Sequence, residues 1–128
     1  MKNEKFSLRK RIQSFGFAFN GLKIMLREEH NSRIHLFCAC LVIGLMFIFN
    51  LSPIEIGLLI MVIGMVFTAE LFNSALENLA DHLSPEKNEK IKKVKDLSAA
   101  AVLVTALTAL IVGCMIFLPK ILELIQLT

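Results

Sequence analysis

The sequence predicts an all-α membrane protein, with an N-terminal amphipathic surface helix followed by three transmembrane helices. Three observations carry this. Uncharged stretches run from Leu36 to Ile54, Ile56 to Ala69 and Leu97 to Pro119, in a chain of 128 residues that is 55% hydrophobic and 20% charged. A chain this short buries only about two-thirds of its surface when it folds in water. A mean hydropathy of +0.66 would therefore leave large apolar patches exposed unless lipid covered them. The basic residues, finally, are segregated: eight precede the first stretch, none lies in the Asn50 to Pro53 turn, five fall between Lys87 and Lys95, and Lys120 comes last. Disorder and fibrous repeats are excluded by composition, and the length predicts one domain covering residues 1–128.

The first helix is expected over about residues 5–28. Leu8, Ile12, Phe15, Phe19, Leu22 and Leu26 recur at spacings of 4, 3, 4, 3 and 4, with Arg9, Lys10, Arg11, Lys23 and Arg27 mostly off that stripe. Such a helix lies on the inner leaflet with its basic face toward anionic lipid; a helix packed against its own protein is the alternative. The first span, about 33–51, contains a 19-residue uncharged run, near the roughly 20 residues needed to cross about 30 Å of hydrocarbon. The second span, about 53–82, opens on Ser52-Pro53-Ile54-Glu55, a capping box with proline at the first helical position. Only 14 uncharged residues precede Glu70, but the apolar pattern continues through Leu71, Phe72, Ala75, Leu76, Leu79 and Ala80, so Glu70 should sit near one face of the bilayer. Ser84-Pro85 is expected to restart a helix in the same manner, giving a loop helix and third span over about 85–118 with a 23-residue uncharged run.

The basic residues set the orientation. Their distribution puts the N-terminus and the 81–96 loop in the cytoplasm, and the 50–54 turn and C-terminus on the other side. A cleavable leader is not expected, because Glu4, Glu28 and Glu29 stand among the residues before the first apolar run. Cys38, Cys40 and Cys114 all fall in apolar runs without metal-type spacing and read as reduced packing residues. His30, His35 and His82 share no ligand spacing and read as interfacial; the glycines within spans read as helix-packing positions.

The polar residues of the second span require an explanation. Glu70, Asn73, Glu77 and Asp81 are offset by 3, 4 and 4, so all four lie on one helical face. Carboxylates at membrane depth cost a few kcal/mol each and usually mark a functional site. Glu28 and Glu29 precede the first span on the same side, and Lys95-Asp96 precede the third. Three distant segments thus converge on one membrane face. Carboxylates on two helices suit a hard divalent cation such as Mg²⁺, which takes a few protein oxygens together with phosphate oxygens. A lysine at that level neutralises phosphate charge, and a further carboxylate free of metal can accept a hydroxyl proton. Metal, lysine and base together suggest phosphoryl transfer to an alcohol. Neither G-x-x-x-x-G-K-[ST] nor G-x-G-x-x-G occurs, so a nucleotide must be held some other way. The alternative is a non-catalytic oligomeric module whose carboxylate stripe glues helices together. A channel or transporter is disfavoured because the runs 36–54 and 97–119 carry no charge.

Glu70-Leu71-Phe72-Asn73-Ser74-Ala75-Leu76-Glu77, followed by Asp81 and by Lys95-Asp96-Leu97-Ser98-Ala99-Ala100-Ala101-Val102-Leu103, resembles the signature of the small prokaryotic diacylglycerol kinases, which include undecaprenol kinases. The resemblance covers nearly the whole chain. It implies an ATP- and Mg²⁺-dependent lipid kinase in which Glu70 is the general base and also meets the lipid hydroxyl. By the same carry-over Glu29 and Glu77 hold the metal, Lys95 and Asp96 contact the nucleotide, and Asn73 and Arg33 contact substrate. Lys10, Phe17, Glu86 and Asn88 match nucleotide-contacting regions more loosely; enterobacterial members carry a hydroxylated aromatic where this chain has Phe17. The partners implied are the bilayer, ATP and a membrane lipid alcohol, with no nucleic acid. The family also implies a homotrimer with shared sites in the inner membrane of a bacterium, the active site cytoplasmic. The stretch Glu29-His30-Asn31-Ser32-Arg33-Ile34-His35-Leu36 resembles the form seen in undecaprenol kinase-like members, a lean toward undecaprenol over diacylglycerol.

Overall fold

A computed structural model describes residues 5–86 and 88–127. It contains four helices: α1 (Leu8–Glu28), α2 (His30–Ile48), α3 (Pro53–Leu83) and α4 (Glu89–Gln126). The last three are each long and apolar enough to cross a membrane, and only 11, 22 and 17% of their most apolar windows are buried within the chain. Their remaining apolar surface faces outward, where lipid is the solvent that accepts it. Lys2 and Lys87 of the basic tally, and Glu4, lie outside the described residues.

Each boundary has a local cause. The Ser7 hydroxyl accepts from the Lys10 amide at 3.5 Å and caps α1, so the helix begins after residue 7. Residues 8–20 are exposed, and Met25 is the buried residue of α1, so the outer part of this helix is not packed on its own chain. Glu29 sits in extended conformation between α1 and α2, its amide closing α1 on the Met25 carbonyl at 2.9 Å. Arg33 reinforces this hinge by donating from Nε to the Leu26 carbonyl at 2.8 Å and from its terminal nitrogen to the Arg27 carbonyl. Two carbonyls left without partners at the end of α1 are thereby satisfied.

The capping box of α3 is formed. The Ser52 hydroxyl accepts from the Glu55 amide at 3.2 Å, and Glu55 Oε2 accepts from the Ser52 amide at 2.8 Å. Lys120, from the far end of α4, lies 3.5 Å from the same carboxylate and donates to the Asn50 carbonyl at 3.3 Å. This turn therefore ties α4 to the α2–α3 connection. Ser52→Ala is expected to lower stability by about 1 kcal/mol, read as a downward shift of the thermal midpoint in detergent with activity retained.

Two expected boundaries of the last helix are corrected. Ser84-Pro85 does not restart a helix. The Ser84 amide is already spent closing α3 on the Ala80 carbonyl at 3.0 Å, and its hydroxyl donates to the Glu86 carbonyl at 3.0 Å. Asn88 takes the role instead, its Oδ1 accepting from the Lys90 amide at 2.9 Å, and α4 starts at Glu89. Nor does α4 stop at 118: Pro119 lies inside it and the helix continues to Gln126. Proline removes one rung of the backbone ladder, and in a membrane helix the apolar turns on either side keep the rest intact.

The buried apolar core lies beside the 49–52 turn. Leu59, Ile116 and Phe117 form it, with Val42, Leu45, Met46, Phe49, Leu51 and Val112 packed around. The Phe49 and Phe117 rings meet at 5.9 Å between centroids, tilted by 59°, an arrangement favoured by the ring quadrupoles. α3 and α4 make the most extensive helix pair. A methyl group added at any of the six glycines would meet nothing within 4 Å, so the expectation that the four within spans, Gly44, Gly57, Gly64 and Gly113, are packing positions is not met within this chain. The three cysteines are free. Further buried apolar residues, among them Met25, Val66, Ala80 and Val102, lie toward the other end, where the buried polar side chains Ser32, Glu70, Asn73, Ser74 and Ser98 also gather.

Candidate functional site

The stripe on α3 is graded in burial. Glu70 is 1% exposed and Asn73 7%, Glu77 is half-buried, and the Asp81 side chain is 66% exposed. Equal helical spacing thus conceals unequal environments, set by what α2 and α4 lay against each residue.

At the deep end, α2 faces Glu70. The Ser32 hydroxyl, itself fully buried, donates to Glu70 Oε2 at 3.2 Å. His35 Nε2 stands 3.2 Å from Oε1, yet off the line of a hydrogen bond, so this buried oxygen is left unpaired. A buried carboxylate oxygen without a hydrogen bond is costly in a medium this apolar. One turn further, Asn73 is held by α4: the Ser98 hydroxyl donates to Asn73 Oδ1 at 2.8 Å and also to the Lys95 carbonyl at 3.0 Å. With its oxygen engaged, the Asn73 amide directs its N–H groups elsewhere.

At the shallow end the hinge between α1 and α2 meets α3. Ser74 donates to Glu29 Oε1 at 3.4 Å, and Asn78 donates both to Glu28 Oε2 at 3.4 Å and to the Ser74 carbonyl at 2.9 Å. The Glu77 carboxyl lies within hydrogen-bonding reach of that of Glu29, with Lys95 close enough to act on it electrostatically. Two juxtaposed carboxylates repel unless a proton or a cation lies between them. Among the described residues no three His, Cys, Asp or Glu side chains cluster as metal ligands. A two-carboxylate pair nonetheless suits Mg²⁺, which completes its shell with water and phosphate oxygens, so Glu29 and Glu77 fit the ion.

Lys95 pairs with Asp81 across the α3–α4 connection, while Asp96 pairs with Lys92 at 2.6 Å one turn away on α4. A cleft of about 560 Å³ opens beside these groups, lined by Asp81, Glu86, Asn88, Lys92 and Lys95 among others. Glu86 and Asn88 therefore join Lys95 at one opening, and Asp96 lines an adjoining one. Lys10 and Phe17 are not brought there: they lie in the exposed outer part of α1, with Phe17 76% exposed. Arg33 is turned into the hinge, onto the carbonyls of Leu26 and Arg27.

On its outer side, His35 rims an apolar groove of about 380 Å³ between α2, α3 and α4, lined also by Cys38, Ala39, Val66, Ala109 and Gly113. The groove is separated from Glu70 by the His35 side chain. Sequence reasoning missed Ser32, Ser74 and Ser98 as partners of the acidic stripe, and read His35 only as interfacial. One signal was present: Ser32, His35 and Ala39 are offset by 3 and 4, one face of α2.

Comparison with known proteins agrees with this geometry. The profile of the family described as prokaryotic diacylglycerol kinase matches residues 16–117. The chain is 35% identical to the undecaprenol kinase of Bacillus subtilis over 120 residues, 94% of this chain and 98% of the relative. It is 34% identical to the diacylglycerol kinase of Haemophilus influenzae over 93 residues, 73% of this chain and 79% of the relative. The diacylglycerol kinase of Escherichia coli is 27% identical over 116 residues, covering 91% and 95%. With four helices, three of them able to span a membrane, and a carboxylate site at one end, the chain belongs to the prokaryotic diacylglycerol kinase family and is a lipid kinase.

Proposed function

We propose that this protein transfers the γ-phosphate of ATP to the hydroxyl of a membrane lipid alcohol in a Mg²⁺-dependent reaction, with undecaprenol favoured over diacylglycerol. The observation that carries the reading is the open, buried Glu70 Oε1, two helical turns along α3 from the Glu29–Glu77 pair. Glu70 accepts the proton of the lipid hydroxyl as the hydroxyl oxygen bonds to the γ-phosphorus and the bond from that phosphorus to the bridging oxygen breaks, releasing ADP. Glu29 and Glu77 hold Mg²⁺, which when bound neutralises charge on the phosphates. Lys95 and Asp96, with Glu86 and Asn88 at the same openings, hold the nucleotide. Lys95 exchanges its Asp81 partner for phosphate as ATP enters. Asn73, its oxygen fixed by Ser98, offers N–H groups to the lipid or to the transferring phosphoryl.

The undecaprenol preference is supported by the Glu29 to Leu36 stretch and by the relative named undecaprenol kinase, which aligns over 98% of its length. The protein acts at the cytoplasmic face of a bacterial inner membrane, with the 50–54 turn and the C-terminus opposite, as the distribution of basic residues supports. Its assembly is a homotrimer, in which the exposed outer part of α1 carries Lys10 and Phe17 to a neighbouring subunit's nucleotide, and Arg33 contributes to the substrate region by fixing the hinge.

The test is ³²P transfer from ATP by purified protein in mixed micelles, offering undecaprenol and diacylglycerol side by side with and without Mg²⁺. Magnesium-dependent label is expected on undecaprenol above diacylglycerol. Equal or reversed labelling overturns the preference, and label that does not need magnesium overturns the metal role.

A further inference from the structure

We infer that His35 is a positioning residue for Glu70, and that with Ser32 it forms a cradle from α2 that aims the carboxylate at the lipid hydroxyl. The inference rests on the reading of Glu70 as the base. A carboxylate at the end of a glutamate side chain turns easily about its last torsion, and one hydrogen bond fixes only one of its oxygens. Here Oε2 is taken by the Ser32 hydroxyl at 3.2 Å, and Ser32 has no exposed surface. Oε1 faces His35 Nε2 at 3.2 Å. Two lone pairs at that distance repel, so a proton belongs between the two atoms, and a small rotation of the imidazole brings Nε2–H into line. One lone pair of Oε1 then accepts from His35 and the other remains for the substrate hydroxyl.

The support of this cradle is rigid. Ser32 and His35 lie one turn apart on the face of α2 that meets α3, and Arg33 between them anchors the start of α2 to the end of α1. The lysine of the site is unavailable for the task because it is paired with Asp81. The His35 side chain is 22% exposed, and it rims the apolar groove at its polar end. It thus stands between this groove and the carboxylate, on the path of a lipid hydroxyl that enters by the groove.

The experiment compares kcat, KM for ATP, Mg²⁺-dependent ATP binding and thermal midpoint for wild type, His35→Ala, His35→Gln, Ser32→Ala and the His35→Ala/Ser32→Ala pair, with undecaprenol and diacylglycerol as acceptors. His35→Ala is expected to lower kcat on the order of 10²-fold, the cost of a reacting group displaced by about 1 Å, with KM for ATP and ATP binding unchanged. His35→Gln, whose amide N–H reaches the same oxygen, should recover most of the loss. Ser32→Ala should lose less, and the pair should lose less than the product of the singles, because both hold one group. Wild-type kcat in His35→Ala overturns the inference. So does a His35→Gln protein that is folded, binds ATP and is as slow as His35→Ala, since that result assigns His35 to carrying a proton. If His35→Ala does not fold, His35→Gln at near wild-type kcat with a slowed Ser32→Ala still supports the cradle, and an unimpaired Ser32→Ala overturns it. A wild-type protein that labels neither lipid instead refutes the proposed reaction, which keeps the two failures distinct.

Discussion

Glu70→Gln is expected to abolish lipid phosphorylation in a protein that remains folded and still binds Mg-ATP. Glutamine keeps the shape of glutamate, and its amide oxygen can accept from Ser32 as Oε2 does. What it loses is the ability to take a proton. General-base catalysis contributes about 10²–10⁴-fold, and kcat should fall within that range. Stability should hold or rise. The carboxylate is 1% exposed and has no cation against it except His35 when that residue is protonated, and exchanging a poorly compensated buried charge for a neutral isostere is often neutral or favourable. Alanine would confuse the test by leaving Ser32 without its acceptor and opening a cavity. The measurement is single-turnover ³²P transfer beside ATP binding and the thermal midpoint. Turnover at the wild-type rate would remove Glu70 from the base role. Loss of the proposed trimer together with loss of activity would favour a packing role for the stripe.

The parts of this molecule that sequence makes legible are those governed by one helix at a time. The four helices, the capping box at Ser52 and the shared face of Glu70, Asn73, Glu77 and Asp81 depend on local spacing, and all are present. What escaped depends on two helices at once. Periodicity ranks the four stripe residues equally, yet Glu70 is sealed by α2, Asn73 is roofed by Ser98 of α4, and Asp81 is left in the open with Lys95. The rotation of each helix about its axis decides this, and no spacing within α3 encodes it. The serines escaped for a related reason. A serine inside a helix has no strong positional signature, and its hydroxyl acquires meaning only when a neighbouring helix offers an acceptor. Ser84-Pro85 misled because the same residues serve either end of a helix, and here Ser84 ends α3 while Asn88 caps α4. Lys10 and Phe17 lie on a segment with few contacts to its own chain, so one chain alone gives them no place at the site.

The Glu29–Glu77 pair leads to the second large effect. Glu77→Gln is expected to eliminate Mg²⁺-dependent ATP binding and, with it, turnover, while metal-free protein becomes more stable. The two signs have one origin. Without a cation, the carboxyls of Glu29 and Glu77 stand within hydrogen-bonding reach and repel when both are ionised. Removing one charge relieves the strain on the contact between the α1–α2 hinge and α3, which Ser74 and Asn78 otherwise hold through hydrogen bonds of 3.4 Å to Glu29 and Glu28. On the proposed reading the same pair becomes a ligand set when Mg²⁺ and ATP are present, and the folded state then gains the binding free energy by mass action. Loss of an outer-shell partner weakens a metal site by about 10- to 100-fold, and loss of a ligand from a two-carboxylate site should exceed that. Glu29→Gln should behave in the same way, and the double substitution should add little to either single one, since both remove the same ion. Thermal midpoints with and without Mg-ATP read both signs in one experiment. The wild type should gain stability on adding the pair of ligands, and the Glu77→Gln protein should start higher and gain nothing. A Glu77→Gln protein that still gains as much as wild type would move the metal away from this pair. A variant that loses the gain but starts lower would assign Glu77 to holding the hinge instead.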